Sequence, residues 1–313
     1  MRIVYLDQNK WIELARAAKS PAEHPETHAL LQEIADAVAG GRLMLPLAAT
    51  NIYETHKIND RERRSELASF QALFSGGVVF RGRHKRLEVE ISALLRSIYN
   101  LPDTPEEPNW FLSKVFFEAF LESDDERFAA PLSDHLLNLL RARSDFCLYD
   151  YLINCPEAVR LGAVKRFSAG SEKLRQRVEK WRAQHSNESE SMRRKLYSAL
   201  LMIDEIELIL AIAQRAGVAW SSTSDMDASN ARRIITDVPT YYVEREIALR
   251  LEAQDRALHE NDFRDMQSFC AVLPYADQVI GENQFVNLAL QAGLNKKYRT
   301  ELATNILALR KYL

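Results

Sequence analysis

The chain has 313 residues, 47% of them hydrophobic, and sets 41 Lys and Arg against 44 Asp and Glu for a net charge of −3. That is enough apolar material for one large domain or two smaller ones, and the near-balance of charge leaves any case for nucleic acid to local basic runs. Three cysteines (Cys147, Cys155, Cys270) are too few and too scattered for a disulfide framework or a zinc site.

A reducing cytoplasmic setting is the expectation. No stretch approaches the ~20 apolar residues of a membrane span. Only ten glycines occur in the chain, which points to a helix-rich fold.

Ile3, Val4, Tyr5 and Leu6 form a β-rich apolar run, read as a buried strand that ends at Asp7. Asn9 and a helical pattern through Trp11, Leu14 and Ala15 follow, with a helix expected from about Lys10 to Ala18. Ser20-Pro-Ala-Glu23 has the Ser, Pro and Glu of a helix start. That second helix runs through Ala29, Leu30, Ile34 and Val38 and ends at Gly40-Gly41. Leu43 to Leu47 reads as a short strand. Asn51 is placed as the cap of a helix carrying Glu54 and His56, with His56 read as a surface residue. Arg61 to Phe74 continues in helix, and Gly76 to Phe80 turns into a third short strand.

From about Leu87 to Gln254 the 3.6-residue apolar period dominates and strand signals are almost absent. Pro102, Pro105 and Pro108 mark one loop, Glu122 to Glu126 another, and Ser221 to Asn230 a third. Trp110 and Phe111 are expected in the core. Asn261-Asp262 opens a shorter helix that Pro274 stops. Ala276 to Ile280 is a strand, Gly281 a turn, and Glu282 onward helix, with at most one further short strand near Thr300 to Ala303.

Acids therefore stand beside strands at both ends of the chain. A carboxylate at the C-terminal end of a parallel strand faces the crevice where open α/β sheets bind ligands, which makes Asp7 the first candidate. Glu54 lies on the helix after the second strand. Asp262 and Asp265, three apart, share one helix face. Asp277 opens the last clear strand and Glu282 follows it.

This arrangement resembles the PIN-domain family of metal-dependent nucleases, relatives of the flap nucleases. Leu6-Asp-Gln-Asn9 is similar to the family's first acidic motif, Glu54 to the second, Asn261-Asp-Phe-Arg-Asp265 to the third, and Leu273 to Asn283 to the last strand with its acid. The opening Asp7-Gln-Asn-Lys-Trp11 and the late Leu273-Pro-Tyr-Ala-Asp277 are similar to a bacterial PIN-like subgroup. The likeness covers about 90 residues at one end and about 55 at the other; the helical middle has no counterpart in a minimal PIN domain. Gly281-Glu282 stands where the family usually has a Thr-x-Asp motif, which leaves the fourth acid open between Asp277 and Glu282.

The resemblance implies an α/β fold: a three-layer core with a small parallel sheet flanked by helices, plus a large all-helical insertion. The division is residues 1–86 and 255–313 for the core and 87–254 for the insertion. It implies a Mg2+- or Mn2+-dependent endoribonuclease, with DNA the alternative substrate, and bacterial settings such as toxin–antitoxin pairs, with an antitoxin partner, or phage defence. The catalytic set is then Asp7, Glu54, Asp265 and Asp277, and the metal ligands are drawn from these with Asp262 and Glu282. Hard cations of this kind take carboxylate oxygens, and a pair of them activates water and steadies the leaving oxygen in phosphodiester hydrolysis. Asn9, Lys10, Arg81, Arg83 and Lys85 are placed against the phosphates, the last three from the basic run Arg81 to Arg86.

Each acid also has a plain structural reading. Asp7 ends a strand and is suited to cap a helix. Glu54 sits three after Asn51, as in a capping box, and Asp262 favours an N-terminal cap over a ligand role. The rival to the enzyme is a degenerate PIN-like scaffold that binds protein.

Overall fold

In the computed structural model, residues 1–102, 106–120 and 133–313 are described. Pro105 and the acidic run at 122–126 lie outside them.

The architecture follows from the first strand, β1 (Arg2–Leu6), whose residues from Ile3 to Leu6 are all buried. A strand buried on both faces belongs in the middle of a covered parallel sheet. β1 pairs with β2 (Leu43–Met44) on one side and with β5 (Gln278–Ile280) on the other, and β5 pairs with β6 (Glu301–Ala303). All three pairings are parallel, with Val4 opposite Gln278 and Leu6 opposite Ile280. Parallel neighbours need crossover connections. Between β1 and β2 the crossover is α1 (Gln8–Lys19) and α2 (Pro25–Ala39); between β2 and β5 it is most of the chain.

Alternate side chains of β1 enter different cores, as the period of two in a strand requires. Ile3 and Tyr5 pack with Val279 against α11 (Pro239–Glu252), α12 (Glu260–Val272) and α13 (Asn283–Gln291). Val4 and Leu6 pack with Ile280 against Trp11, Leu14, Leu30 and Ile34 of α1 and α2, Ile52 of α3 (Ala49–Lys57) and Leu67 of α4 (Arg61–Ser75). The result is an α/β unit in which helices flank a small four-stranded parallel sheet.

The middle of the chain is helical as expected: α5 (Arg83–Tyr99), α6 (Asp134–Ala142), α7 (Ser144–Asn154), α8 (Glu157–His185), α9 (Glu190–Arg215) and α10 (Ala228–Asp237), leading into α11. A third core of Leu87, Ile91, Leu95, Ile209, Ile212 and Ile234 holds α5, α9 and α10 together. Among the described residues of 87–254 one strand occurs, β4 (Leu112–Ser113), paired antiparallel with β3 (Val79–Phe80). These strands stand outside the main sheet; a single parallel bridge, Leu47 to Val79, adjoins it. Phe111 stacks on Tyr275 at 4.6 Å between ring centroids and Trp110 meets the same ring edge-on, so the pair is half-buried and packs against the core, short of the core position expected for it.

The helical middle is docked on the sheet unit. α8 packs on both α3 and α12. Buried Glu90 of α5 accepts from the Thr240 N–H at 2.9 Å and its hydroxyl at 2.7 Å.

Two helix boundaries and one burial differ from expectation. Ser20 closes α1, its N–H donating to Arg16 O at 2.8 Å, and α2 begins later with Pro25 in its first turn. Asn51 lies in the first turn of α3, where its Oδ1 accepts from the Ala48 N–H at 2.8 Å. His56 is buried, 2% exposed, with Nε2 3.3 Å from Tyr151 O, because α7 covers that face of α3.

Candidate active site

Asp7 leaves the end of β1 and occupies the N-cap position of α1 with extended backbone, yet its side chain makes no cap bond. The carboxylate is thus spared for the cleft beyond the sheet. The turn is fixed from behind by a set of buried amides. Gln8 Nε2 donates to Thr55 Oγ1 at 3.0 Å, and Gln71 Nε2 donates to Gln8 Oε1 at the same distance. Asn51 Nδ2 reaches Leu6 O at 3.3 Å. These bonds tie the start of α1 to α3 and α4, so the strand end and the Glu54 helix keep a set spacing.

Asp7, Glu54, Asp265 and Glu282 line one cleft of about 210 Å³, with Gln8, Asn9, Lys57 and Arg264 among its other walls. They arrive from the end of β1, from α3, from α12 and from the turn after β5. The expected convergence of Asp7, Glu54 and Asp265 is therefore observed. Four carboxylates less the two cations Lys57 and Arg264 give the cleft a formal charge of −2 when all are ionised.

That crowding is expensive without a counterion. Burial, reinforced by Glu282 and Glu54, pushes Asp7 up to about 6, against the lowering effect of the Gln8 N–H and Lys10. Burial, then Asp7, Glu282, Asp262 and Glu54, pushes Asp265 up to about 8. Desolvation and like charge both disfavour the ionised form, and a bound cation relieves both.

The fourth acid lining the cleft is Glu282; Asp277, placed in the catalytic set, does not line it, a correction. The parallel register sets Asp277 at the start of β5, opposite Ile3, at the far end of the sheet from Asp7. There its carboxylate accepts from the Ile3 N–H at 2.8 Å and from Arg2 Nη1 at 2.9 Å, a structural clamp between neighbouring strands. Glu282, beyond the other end of β5, accepts from Asn9 Nδ2 at 2.7 Å. Asn9 is thus at the site, holding an acid.

Asp262, drawn among the metal ligands, instead takes the helix-start role favoured for it, at the third residue of α12 and not as the cap itself. Arg256 grips both its oxygens, at 2.6 and 2.8 Å, and the His259 N–H donates at 2.8 Å. It tightens the first turn of α12, which holds Asp265, and does not line the cleft.

The basic residues expected at phosphates also move. Arg83 is held by Glu244 through two bonds of 2.6 and 2.9 Å and by Glu205 at 3.1 Å. Arg81 pairs with Glu118 at 3.0 Å and Lys85 with Glu88 at 2.9 Å. Arg81 and Arg83 line a different, larger cavity of about 270 Å³ between the sheet unit and helices α8 and α9. Both concavities touch Thr50, whose hydroxyl bonds that of Ser268, so this pair forms the wall between them. Lys10 pairs with Glu13 at 3.3 Å and lines a shallow neighbouring hollow with Asn9, Arg16 and His24. In the Arg-rich start of α4, Arg64 is buried, with Nη1 on Ile58 O at 2.6 Å.

Arg264 is the residue the sequence did not single out. It sits beside Asp265, 5% exposed, with Nη1 3.0 Å from Glu54 Oε1 and 2.8 Å from Asn261 Oδ1. The spacing of Glu260 and Arg264 offered the one available signal: an acid and a cation four apart on a helix face each other, and here they pair.

The donors are all hard oxygens, the set that suits Mg2+ or Mn2+. Two of the four are turned to other partners, Glu54 to Arg264 and Glu282 to Asn9. In this arrangement no group of three or more His, Cys, Asp or Glu side chains among the described residues is placed to hold a metal ion. No helix among the described residues is long and apolar enough to cross a membrane. No protein-family model matches the chain, and neither a curated protein nor a solved structure matches it.

Proposed function

We propose that this protein is a PIN-like, Mg2+- or Mn2+-dependent endoribonuclease whose active site is the four-carboxylate cleft. One observation carries the reading: Asp7, Glu54, Asp265 and Glu282, up to 275 positions apart (282 less 7), line one cleft at the C-terminal ends of parallel strands. Two of them are pushed to pKa values of about 6 and about 8. Folding that gathers like charges at a sheet's ligand-binding edge keeps an unfavourable arrangement, and functional sites are where such arrangements cluster.

Asp7 and Asp265 would hold the cation, with Glu54 and Glu282 joining from their present partners. When bound, the ion supplies an activated water and charge stabilisation for phosphodiester hydrolysis, leaving a 5′-phosphate and a 3′-hydroxyl. The chain's own residues do the rest. The Gln8 and Gln71 amides, joined through the Thr55 hydroxyl, fix the strand end that carries Asp7. Asn9 orients Glu282, and Lys57 is the lining cation suited to a substrate phosphate. Toxin–antitoxin or phage-defence roles and a protein partner belong to this proposal through the resemblance alone.

A second reading, the PIN-like scaffold without activity, is favoured by the Arg264–Glu54 pair, which occupies one acid internally. The experiment that separates them incubates single-stranded RNA with the protein in Mg2+, Mn2+ or chelator, beside Asp7→Asn and Asp265→Asn. The enzyme cleaves only with metal and both variants lose cleavage. The scaffold cleaves under no condition. Single-stranded and flapped DNA in the same assay resolve the alternative substrate.

A further inference from the structure

We infer that Arg264 and the divalent cation compete for Glu54, so that Arg264 sets the cleft's cation affinity as a positioning residue. The inference rests on the metal-binding reading above.

The guanidinium is held in place independently of Glu54. Nη2 bonds Glu260 Oε1 at 2.5 Å, and Nη1 bonds Asn261 Oδ1 at 2.8 Å. It lies over the Tyr53 ring at 5.0 Å from the centroid. Tyr53 in turn stacks on Phe167 of α8 at 4.3 Å, and its hydroxyl bonds Ser168 Oγ at 2.7 Å. Arg264 is therefore clamped between the first turn of α12 and the helical insertion, and its side chain is 7% exposed.

Glu54 is the looser partner. Its side chain is 29% exposed, and the bond from Arg264 Nη1 is its one hydrogen bond among the described residues. That same nitrogen keeps Asn261 when Glu54 leaves. Release costs one charge-assisted bond at Glu54 and leaves Arg264 with two acceptors, so the carboxylate can pass to a cation without stranding a buried guanidinium. Arg264 is thus an internal substitute for the missing positive charge. The insertion contributes its footing through Phe167 and Ser168, which gives helix α8 a part in the site.

Removing Arg264 frees Glu54 and takes one positive charge from the cleft, so cation binding tightens. The test is calorimetric titration of Mn2+ into the full chain at one pH: parent, R264Q, R264K, E54Q and the double variant R264Q/E54Q, with circular dichroism as the check on folding. R264Q is expected to bind Mn2+ at least about tenfold more tightly than the parent, the scale of one lost competing charged hydrogen bond. R264K keeps the charge but cannot hold the fork, so it gains severalfold, and it carries the test if R264Q does not fold. Most of the gain disappears in the E54Q background, because the contested carboxylate is gone.

Equal or weaker binding in R264Q and R264K overturns the inference, and so does a full gain that persists without Glu54. In those cases the parent binds Mn2+ and the metal reading stands. If no variant binds Mn2+, the metal reading itself falls and takes the inference with it.

Discussion

Asp265→Asn should make the metal-free protein more stable, and more so as pH rises. In the folded chain burial and the neighbouring carboxylates hold this group at about 8, whereas an exposed Asp titrates near 3.9. The folded pKa lies above the unfolded one. Below pH 4 both states keep the proton and the group costs nothing. Between the two values the unfolded chain gives up its proton while the folded chain retains it, so stability falls as pH rises and the loss is complete near pH 8. At pH 7 the separation of about three units above the unfolded value corresponds to a cost of roughly 4 kcal/mol, from 1.36 kcal/mol per unit. Asparagine has nearly the same shape as the protonated acid and carries no such cost. Urea unfolding of parent and variant in chelator at pH 4.5, 6 and 7.5 measures it. The gap should open in favour of the variant by about 3–4 kcal/mol across that range, and the comparison cancels the titrating groups that lie away from the cleft. A gap that stays constant with pH would refute the argument that Asp265 is buried among like charges.

Asp7→Asn should abolish metal-dependent RNA cleavage and shrink the rise in melting temperature that Mn2+ gives, while its melting temperature in chelator stays at or above the parent's, which a misfolded variant would not show. Mn2+ binding at pH 7 should release close to one proton, since Asp265 must ionise to serve as a ligand; titration in two buffers of different ionisation enthalpy reads the number, and zero release contradicts the assignment. Asp277→Asn should lower the melting temperature slightly and leave Mn2+ affinity unchanged, whereas Glu282→Gln should weaken Mn2+ binding; the reverse pattern would move the fourth ligand back to the start of β5. Arg83→Ala should destabilise the fold by about 1–3 kcal/mol, because Glu205 and Glu244 lose a half-buried partner, and should leave the salt dependence of RNA binding alone.

The frame of the molecule was readable because it rests on periodicity. A continuous apolar run at Ile3 to Leu6 marks a strand covered on both faces, and a 3.6-residue period fills the middle. The start of α2 was misplaced because Ser20-Pro-Ala-Glu23 carries cap chemistry in a turn. The two-residue β4 has too little sequence to show a period.

At the site, the chain positions of Asp7, Glu54 and Asp265 were legible, and register decided the rest. Asp277 and Glu282 are five apart across a three-residue strand, so they stand at opposite ends of the sheet. Composition says nothing about which end faces Asp7; the pairing of Val4 with Gln278 does. The basic run at Arg81 to Arg86 misled because its partners, Glu118, Glu205 and Glu244, lie far along the chain. Arg264 escaped notice for a similar reason: its role depends on Glu54, 210 positions away.

The most direct test of the four-carboxylate cleft as a cation site is an anomalous difference map from crystals soaked in Mn2+. The account predicts a peak in the cleft within coordination distance of Asp7 and Asp265, with Glu282 or a released Glu54 completing the oxygen set. A map with no peak there, or with manganese bound at Asp277 or Asp262 instead, would contradict it.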